Sequence, residues 1–204
     1  MHVPRKPHFD AIDRILRYLK KSPGNGIWMK NNKSNEICGY SDAEYAGSFD
    51  RKSTTGYCTF VGGNLVTWKS KKQNVVARSS AEAEYRAMAS TASELTWIKQ
   101  LLEELNFKIG GPMQMFCDNN AARHIASNVV FHERTKHIEV DCHFIREKVQ
   151  AKEIETPYVK SQDQLADIFT KGLIPKTFER ITCKLGLTDI YNPSLRGSVK
   201  NKKD

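Results

Sequence analysis

The run SSAEAEYRAMASTASELTWIKQLLEELNF, residues 79–107, decides how this chain folds. Tyr85, Met88, Ala92, Leu95, Ile98, Leu102 and Leu105 recur at three- and four-residue steps, so they form one apolar stripe on a long helix. Ser79 and Glu82 stand at capping-box spacing, which fixes the start of that helix, and GGP at 110–112 stops it. Ahead of it lie three β-prone segments, 36–43, 56–61 and 65–70, and the last two flank GGN, a hairpin turn signal. After it come a short strand in MQMFCD (113–118) and helices over about 119–127 and 135–149. A β-prone segment EIETPYVK (153–160) and a last helix in DQLADIFTKGL (163–173) follow. The order β-β-β-α-β-α-α-β-α predicts an α/β fold. Its mixed five-stranded sheet has three antiparallel strands, then alternating helices and strands, and is covered by helices.

Outside that block, Phe9, Ile12, Leu16 and Leu19 mark an amphipathic helix over 7–21, halted by SPGNG. GIWMKNNKSNE then reads as a short strand and a polar loop. The expected organisation is an N-terminal segment 1–35, a domain 36–180, and a basic, loosely ordered tail 181–204.

At 204 residues with 39% hydrophobic content, the chain holds one domain plus extensions. No run approaches the ~18 apolar residues of a membrane helix, and MHVPRKPHFD lacks an apolar signal region, so no membrane association and no secretion are expected. The five cysteines are odd in number and form no CxxC, which suits a reducing compartment, cytoplasm or nucleus. The net charge is +9. Residues 1–21 carry six Lys/Arg against Asp10 and Asp13, and residues 196–204 carry four against Asp204, so the termini hold most of it. A nucleic-acid partner fits this balance, and so do basic solvated ends.

The acidic stretch GYSDAEYAGSFDRKSTTGY (39–57) therefore stands out, with Asp42, Glu44 and Asp50. Asp42 falls near the end of the first strand, Asp118 ends the fourth, Glu84 lies in the early turns of the long helix, and Asp167 lies in the last helix. Strand ends and helix starts are where a rigid site is built. Four carboxylates brought together need a cation to stay ionised, and all-oxygen ligation suits Mg²⁺ or Mn²⁺. Two such ions, ~4 Å apart, are a recurrent device of phosphodiester chemistry. Glu44, two residues beyond Asp42, is a candidate supporting group, and Asp50 reads as a turn residue. The run TWKSKKQNVVARSS offers Trp68, Lys69, Lys71, Lys72 and Arg78 as phosphate or base contacts, and Ser80, Asn119 and Arg123 flank the carboxylates. A charged edge strand that resists aggregation explains the lysines as well.

YSDAEYAGSFDRKSTTGY (40–57), LVTWKSKKQNVVARSSAEAEYRAMA (65–89), FCDNNAARHIASNVVFHERTKHIEVDCHFIREKV (116–149) and DQLADIFTKGL resemble the ribonuclease H domain of copia-type retrotransposon Pol polyproteins. The resemblance covers about 36–180, and residues 7–35 resemble the end of the reverse-transcriptase region that precedes it. It implies metal-dependent hydrolysis of the RNA strand of an RNA–DNA hybrid, with the remainder of a Pol polyprotein as a partner. It matches Asp42, Glu84 (in AEYRAM) and Asp118 (in CDN) to the family's carboxylates, and Asp167 (in QLAD) to the fourth, with Asp141 competing for that place. One departure is plain: the loop VKSQDQ before the last helix lacks the histidine many ribonucleases H carry.

Other readings stay open. Asp118 and Glu153 are 35 residues apart, as in DDE integrase-type nucleases, although Glu153 opens a β-prone segment. A zinc site from His132, His137, Cys142 and His143 matches no common ligand spacing. A non-catalytic nucleic-acid-binding fragment of a polyprotein is the reading of a different class.

Overall fold

A computed structural model describes residues 3–127 and 139–191. The elements are α1 (Lys6–Lys20), β1 (Asn25–Ile27), β2 (Ile37–Glu44), β3 (Thr54–Val61), β4 (Asn64–Lys72), α2 (Ser80–Glu104), β5 (Met113–Phe116), α3 (Asn120–Ser127), α4 (Glu139–Gln150), β6 (Ile154–Glu155), α5 (Pro175–Lys184) and β7 (Leu187–Asp189). The main sheet has five strands in the order β4-β3-β2-β5-β6. β2, β3 and β4 are antiparallel neighbours, whereas β5 pairs parallel to β2 and β6 parallel to β5. A parallel neighbour needs a crossover, and α2 supplies it. The expected mixed α/β sheet is therefore the one observed.

The β3–β4 hairpin turns on Gly62 and Gly63, both at positive φ, a conformation that glycine adopts without a Cβ clash. The strands alternate their side chains between two cores. On one face Ile37, Met113, Met115 and Ile154 pack with Tyr85, Met88, Ala92, Leu95 and Ile98 of the α2 stripe and with Ile145 of α4. Leu102 packs partly buried against this core, and the stripe ends before Leu105, which is exposed. On the other face Cys58, Phe60 and Leu65 meet Leu165, Ile181 and Leu185. Tyr40 stacks on Phe116 at 4.7 Å across β2 and β5.

Three expectations are corrected. The segment DQLADIFTKGL is not an α-helix but a pair of 3-10 turns, Ser161–Asp163 and Leu165–Phe169. Contact with the sheet, together with Gly172 and Pro175 close behind, leaves no room for a longer helix. Second, the tail expected from 181 onward is structured at least to Tyr191. Pro175 opens α5, Ile181 and Leu185 complete the second core, and β7 pairs antiparallel with β1. That pairing joins residues 25–27 of the first expected segment to residues 187–189 of the last. Third, the strand expected over 153–160 is regular only at Ile154–Glu155, because Pro157 has no N–H to continue the ladder. It resumes as a single bridge from Cys117 to Tyr158.

α1 forms as expected, yet none of its residues is buried. No helix among the described residues is long and apolar enough to cross a membrane.

Candidate active site

Sheet register creates the site. Tyr40 of β2 lies level with Phe116 of β5, so two residues further on Asp42 comes beside Asp118. α2 begins next to these strand ends. Its start is fixed by Ser79, whose Oγ accepts from the Glu82 N–H at 3.1 Å. Glu82 completes the cap one residue further back than a regular capping box does, accepting from the Arg78 N–H at 2.8 Å, and its other oxygen takes Arg86 Nε and Nη2 at 3.2 and 3.1 Å. Glu82 is thus an anchor. Glu84, two residues on, is turned to the sheet, where Glu84, Cys117 and Asp118 each offer a ligand atom within 4.8 Å of one another.

The fourth carboxylate arrives on the 3-10 turn. Buried Gln164 binds both sides of the junction: its Nε2 donates to the Ser41 carbonyl at 2.9 Å and its Oε1 accepts from the Ala166 N–H at 3.1 Å. Thr170 Oγ1 donates to Asp42 Oδ2, locking the far end of the turn to β2. The turn lies flat on the sheet because position 56, across from Asp42, is glycine. A Cβ there would stand 2.5 Å from Thr170 Cγ2 and 3.1 Å from the Ala166 carbonyl oxygen. Asp167 is thereby held 8% exposed, near Asp42 at 3% and Glu84 at 7%.

Like charges brought this close raise one another's proton affinity. Burial first, then Asp42 and Asp118, pushes the Glu84 carboxyl from 4.5 to about 9, against the opposing pull of the Ala43 N–H and Lys171. Glu84 Oε2 is buried with no hydrogen-bond partner. Burial likewise raises Asp167, to about 6, with Asp42 and Asp118 adding to it and the Lys171 ammonium opposing. Lys171 Nζ lies 2.8 Å from Asp167 Oδ1 and 3.9 Å from Asp42 Oδ2. Four carboxylates facing one lysine, with a buried oxygen left over, fit a divalent cation with oxygen ligands. Burial also raises the Cys117 thiol, to about 12, so beside them it stays a neutral thiol.

Other predicted residues fall elsewhere. Asp141, the competitor for the fourth place, pairs with Arg86 at 3.7 Å. Glu44 lays its carboxyl over Gly47 in the turn after β2. Asp50 is a turn residue, as expected, and holds Lys72 at 3.2 Å. Glu153 meets Lys148 at 3.4 Å and gives its carbonyl to Met113, at the opposite end of β5 from Asp118, so the DDE arrangement is not formed. His143 is exposed and Cys142 buried, while His132 and His137 lie outside the described residues.

The basic candidates divide. Lys69, Lys71 and Lys72 line a groove of about 660 Å³ together with Arg86 and Ser90 of α2 and Asp141 of α4. Trp68 is opposite Cys58 and so faces the other side of the sheet. Arg78 and Ser80 are exposed at the start of α2. Asn119 caps α3, accepting from the Ala122 N–H at 3.0 Å. Arg123 donates to the Thr156 carbonyl at 2.7 Å and lies over the Tyr158 ring, which ties α3 to the segment after β6. Sequence reasoning missed Gly56, Gln164, Thr170 and Lys171. The last three flank Asp167 within four residues, and Lys171 at i+4 was the legible signal.

No protein-family model matches the chain. It is 44% identical over 191 residues, 93% of its length, to the Retrovirus-related Pol polyprotein from transposon RE1 of Arabidopsis thaliana, and 43% identical over 98% of its length to that from transposon RE2. It spans only 13% and 14% of those relatives. Among solved structures, LC11-RNase H1 isolated from compost superposes with a TM-score of 0.52 at 16% identity, over 71% of this chain and 99% of that one. The same protein in complex with an RNA/DNA hybrid gives 0.51 at 13% identity, over 70% and 99%. The chain belongs to the copia-type retrotransposon Pol polyproteins, within which it forms a domain of ribonuclease H-like fold.

Proposed function

We propose that this domain hydrolyses the RNA strand of RNA–DNA hybrids, cutting internally, during reverse transcription of its parent element. The observation that carries the reading is Glu84: a carboxyl raised to about 9 by burial first and then by Asp42 and Asp118, with one buried oxygen lacking any donor. Such a group is held at a loss unless a cation meets it. Asp42, Glu84, Asp118 and Asp167 would hold Mg²⁺ or Mn²⁺, two ions in the proposed arrangement. Bound there, the metal supplies an activated water and neutralises charge on the leaving oxygen. The chain's own part is to fix the carboxylates: register sets Asp42 beside Asp118, the α2 cap sets Glu84, and Gln164 with Thr170 sets Asp167. Lys69, Lys71 and Lys72 in the groove supply phosphate contacts from one side of the sheet.

The test is incubation of the purified chain with a hybrid labelled on each strand in turn, with Mn²⁺, Mg²⁺ or EDTA. Internal cuts in the RNA alone, abolished by EDTA, are expected. An intact RNA strand in Mn²⁺ would overturn the reading in favour of a binding fragment without activity.

A further inference from the structure

Lys171 is placed where the carboxylates need positive charge, by a short route along the chain. The turn Leu165–Phe169 is followed by Thr170, and the Lys171 N–H closes back onto the Asp167 carbonyl at 3.1 Å. Its side chain then returns over the turn, so that Nζ reaches Asp167 Oδ1 at 2.8 Å and Asp42 Oδ2 at 3.9 Å. These are the two carboxylates on one flank of the cluster. Glu84 and Asp118, with the Glu84 oxygen that lacks a donor, make the other. Yet the lysine side chain is 42% exposed, against 4% and 11% for its two partners. Among the described residues it belongs to no hydrophobic core. Thr170 and Gln164, not Lys171, make the hydrogen bonds that fasten the turn to β2.

We propose that Lys171 is a displaceable counter-ion of this site: its ammonium holds the Asp42–Asp167 flank together and competes there with the divalent cation, so that it sets the affinity of the chain for metal. A positive charge within 4 Å of two carboxylates repels an incoming cation and shares its ligands. A lysine on a flexible stem can withdraw to solvent when a doubly charged ion arrives, whereas a buried arginine fork cannot as readily. The inference makes Lys171 a positioning residue, and it rests on the metal-site reading above.

The experiment is calorimetric titration of Mn²⁺ into the whole chain, wild type, Lys171→Met, Lys171→Gln and Asp118→Asn, with thermal melting of each in EDTA. Lys171→Met and Lys171→Gln are expected to bind Mn²⁺ about tenfold more tightly than wild type and to melt lower in EDTA. A lysine that only braces the turn would do the opposite: its loss would loosen Asp167 and weaken metal binding. Mn²⁺ affinity unchanged or weakened in both lysine variants, with wild-type binding abolished by Asp118→Asn, overturns this inference and leaves the metal site standing. No Mn²⁺ binding to the wild-type chain overturns both.

Discussion

The acidic end of the sheet and the basic groove along β4 show two ways in which a fold treats charge. At the acidic end, Asp42, Glu84 and Asp167 are buried and Asp118 is half-buried, and burial with these neighbouring charges raises the proton affinity of Glu84 and Asp167. Among the described residues, the cation paired with them is Lys171. Along the groove the lysines are exposed and the charges are locally answered. Lys72 holds Asp50, Lys69 lies 5.9 Å from the Tyr57 ring centre, and Arg86 is shared between Glu82 and Asp141. Exposed pairs such as Lys72–Asp50 are screened by water and exchange partners readily. Unanswered charge in a low-dielectric setting needs a specific ligand, whereas answered charge in water tolerates many. On the proposed reading, the first region would take a metal and the second a strand of phosphates.

Asp118→Asn breaks the comparison hardest. It removes one ligand charge with no change of shape, and hybrid cleavage is expected to fall by on the order of 10²-fold or more. Folding is expected to survive, because the repulsion on Glu84 and Asp167 is relieved. Paired cleavage assays and melting curves check both halves. Gly56→Ala comes next. Its methyl group would displace the turn bearing Asp167 and is expected to destabilise the chain by about 1–3 kcal/mol, read by urea denaturation, while weakening Mn²⁺ binding. Lys71→Ala with Lys72→Ala is the mildest change. It should leave metal affinity unaltered and reduce the log–log salt slope of hybrid binding by up to about one unit per lost phosphate contact. An unchanged slope would assign those lysines to the solvated edge of the sheet.

The two regions were also unequally legible in sequence. The five strands and α2 could be read because alternation and the helical stripe are local signals, and the positions of Asp42, Glu84 and Asp118 at element ends followed from them. The arrival of Asp167 was not local. The turn carrying it is 3-10 because Gln164, Thr170 and Gly56 press it onto the sheet, contacts that span more than a hundred residues for Gln164 to Ser41. α5 was missed although Pro175 announced it, because the basic residues beyond suggested a solvated tail, while its buried side is Ile181, with Leu185 just past its end. The groove lysines read as one cluster in the sequence. Strand alternation separates Lys69 and Lys71 from Trp68, and a local partner in Asp50 holds Lys72.

Thermal stability against pH, with and without Mn²⁺, tests most directly whether the acidic cluster is held for a divalent cation. Glu84 and Asp167 bind protons more tightly in the folded chain than in the unfolded one. The stability this lends is complete below the ordinary carboxylate range and is lost as pH rises through about 6 for Asp167 and about 9 for Glu84. In EDTA, the melting temperature is therefore expected to fall steadily between about pH 5 and about pH 9. Mn²⁺ takes the deprotonated ligands, so at the alkaline end it should restore about 5 °C or more, and Asp118→Asn should abolish that gain. A melting temperature that ignores Mn²⁺ across the whole range would contradict the assignment of Asp42, Glu84, Asp118 and Asp167 as a metal site.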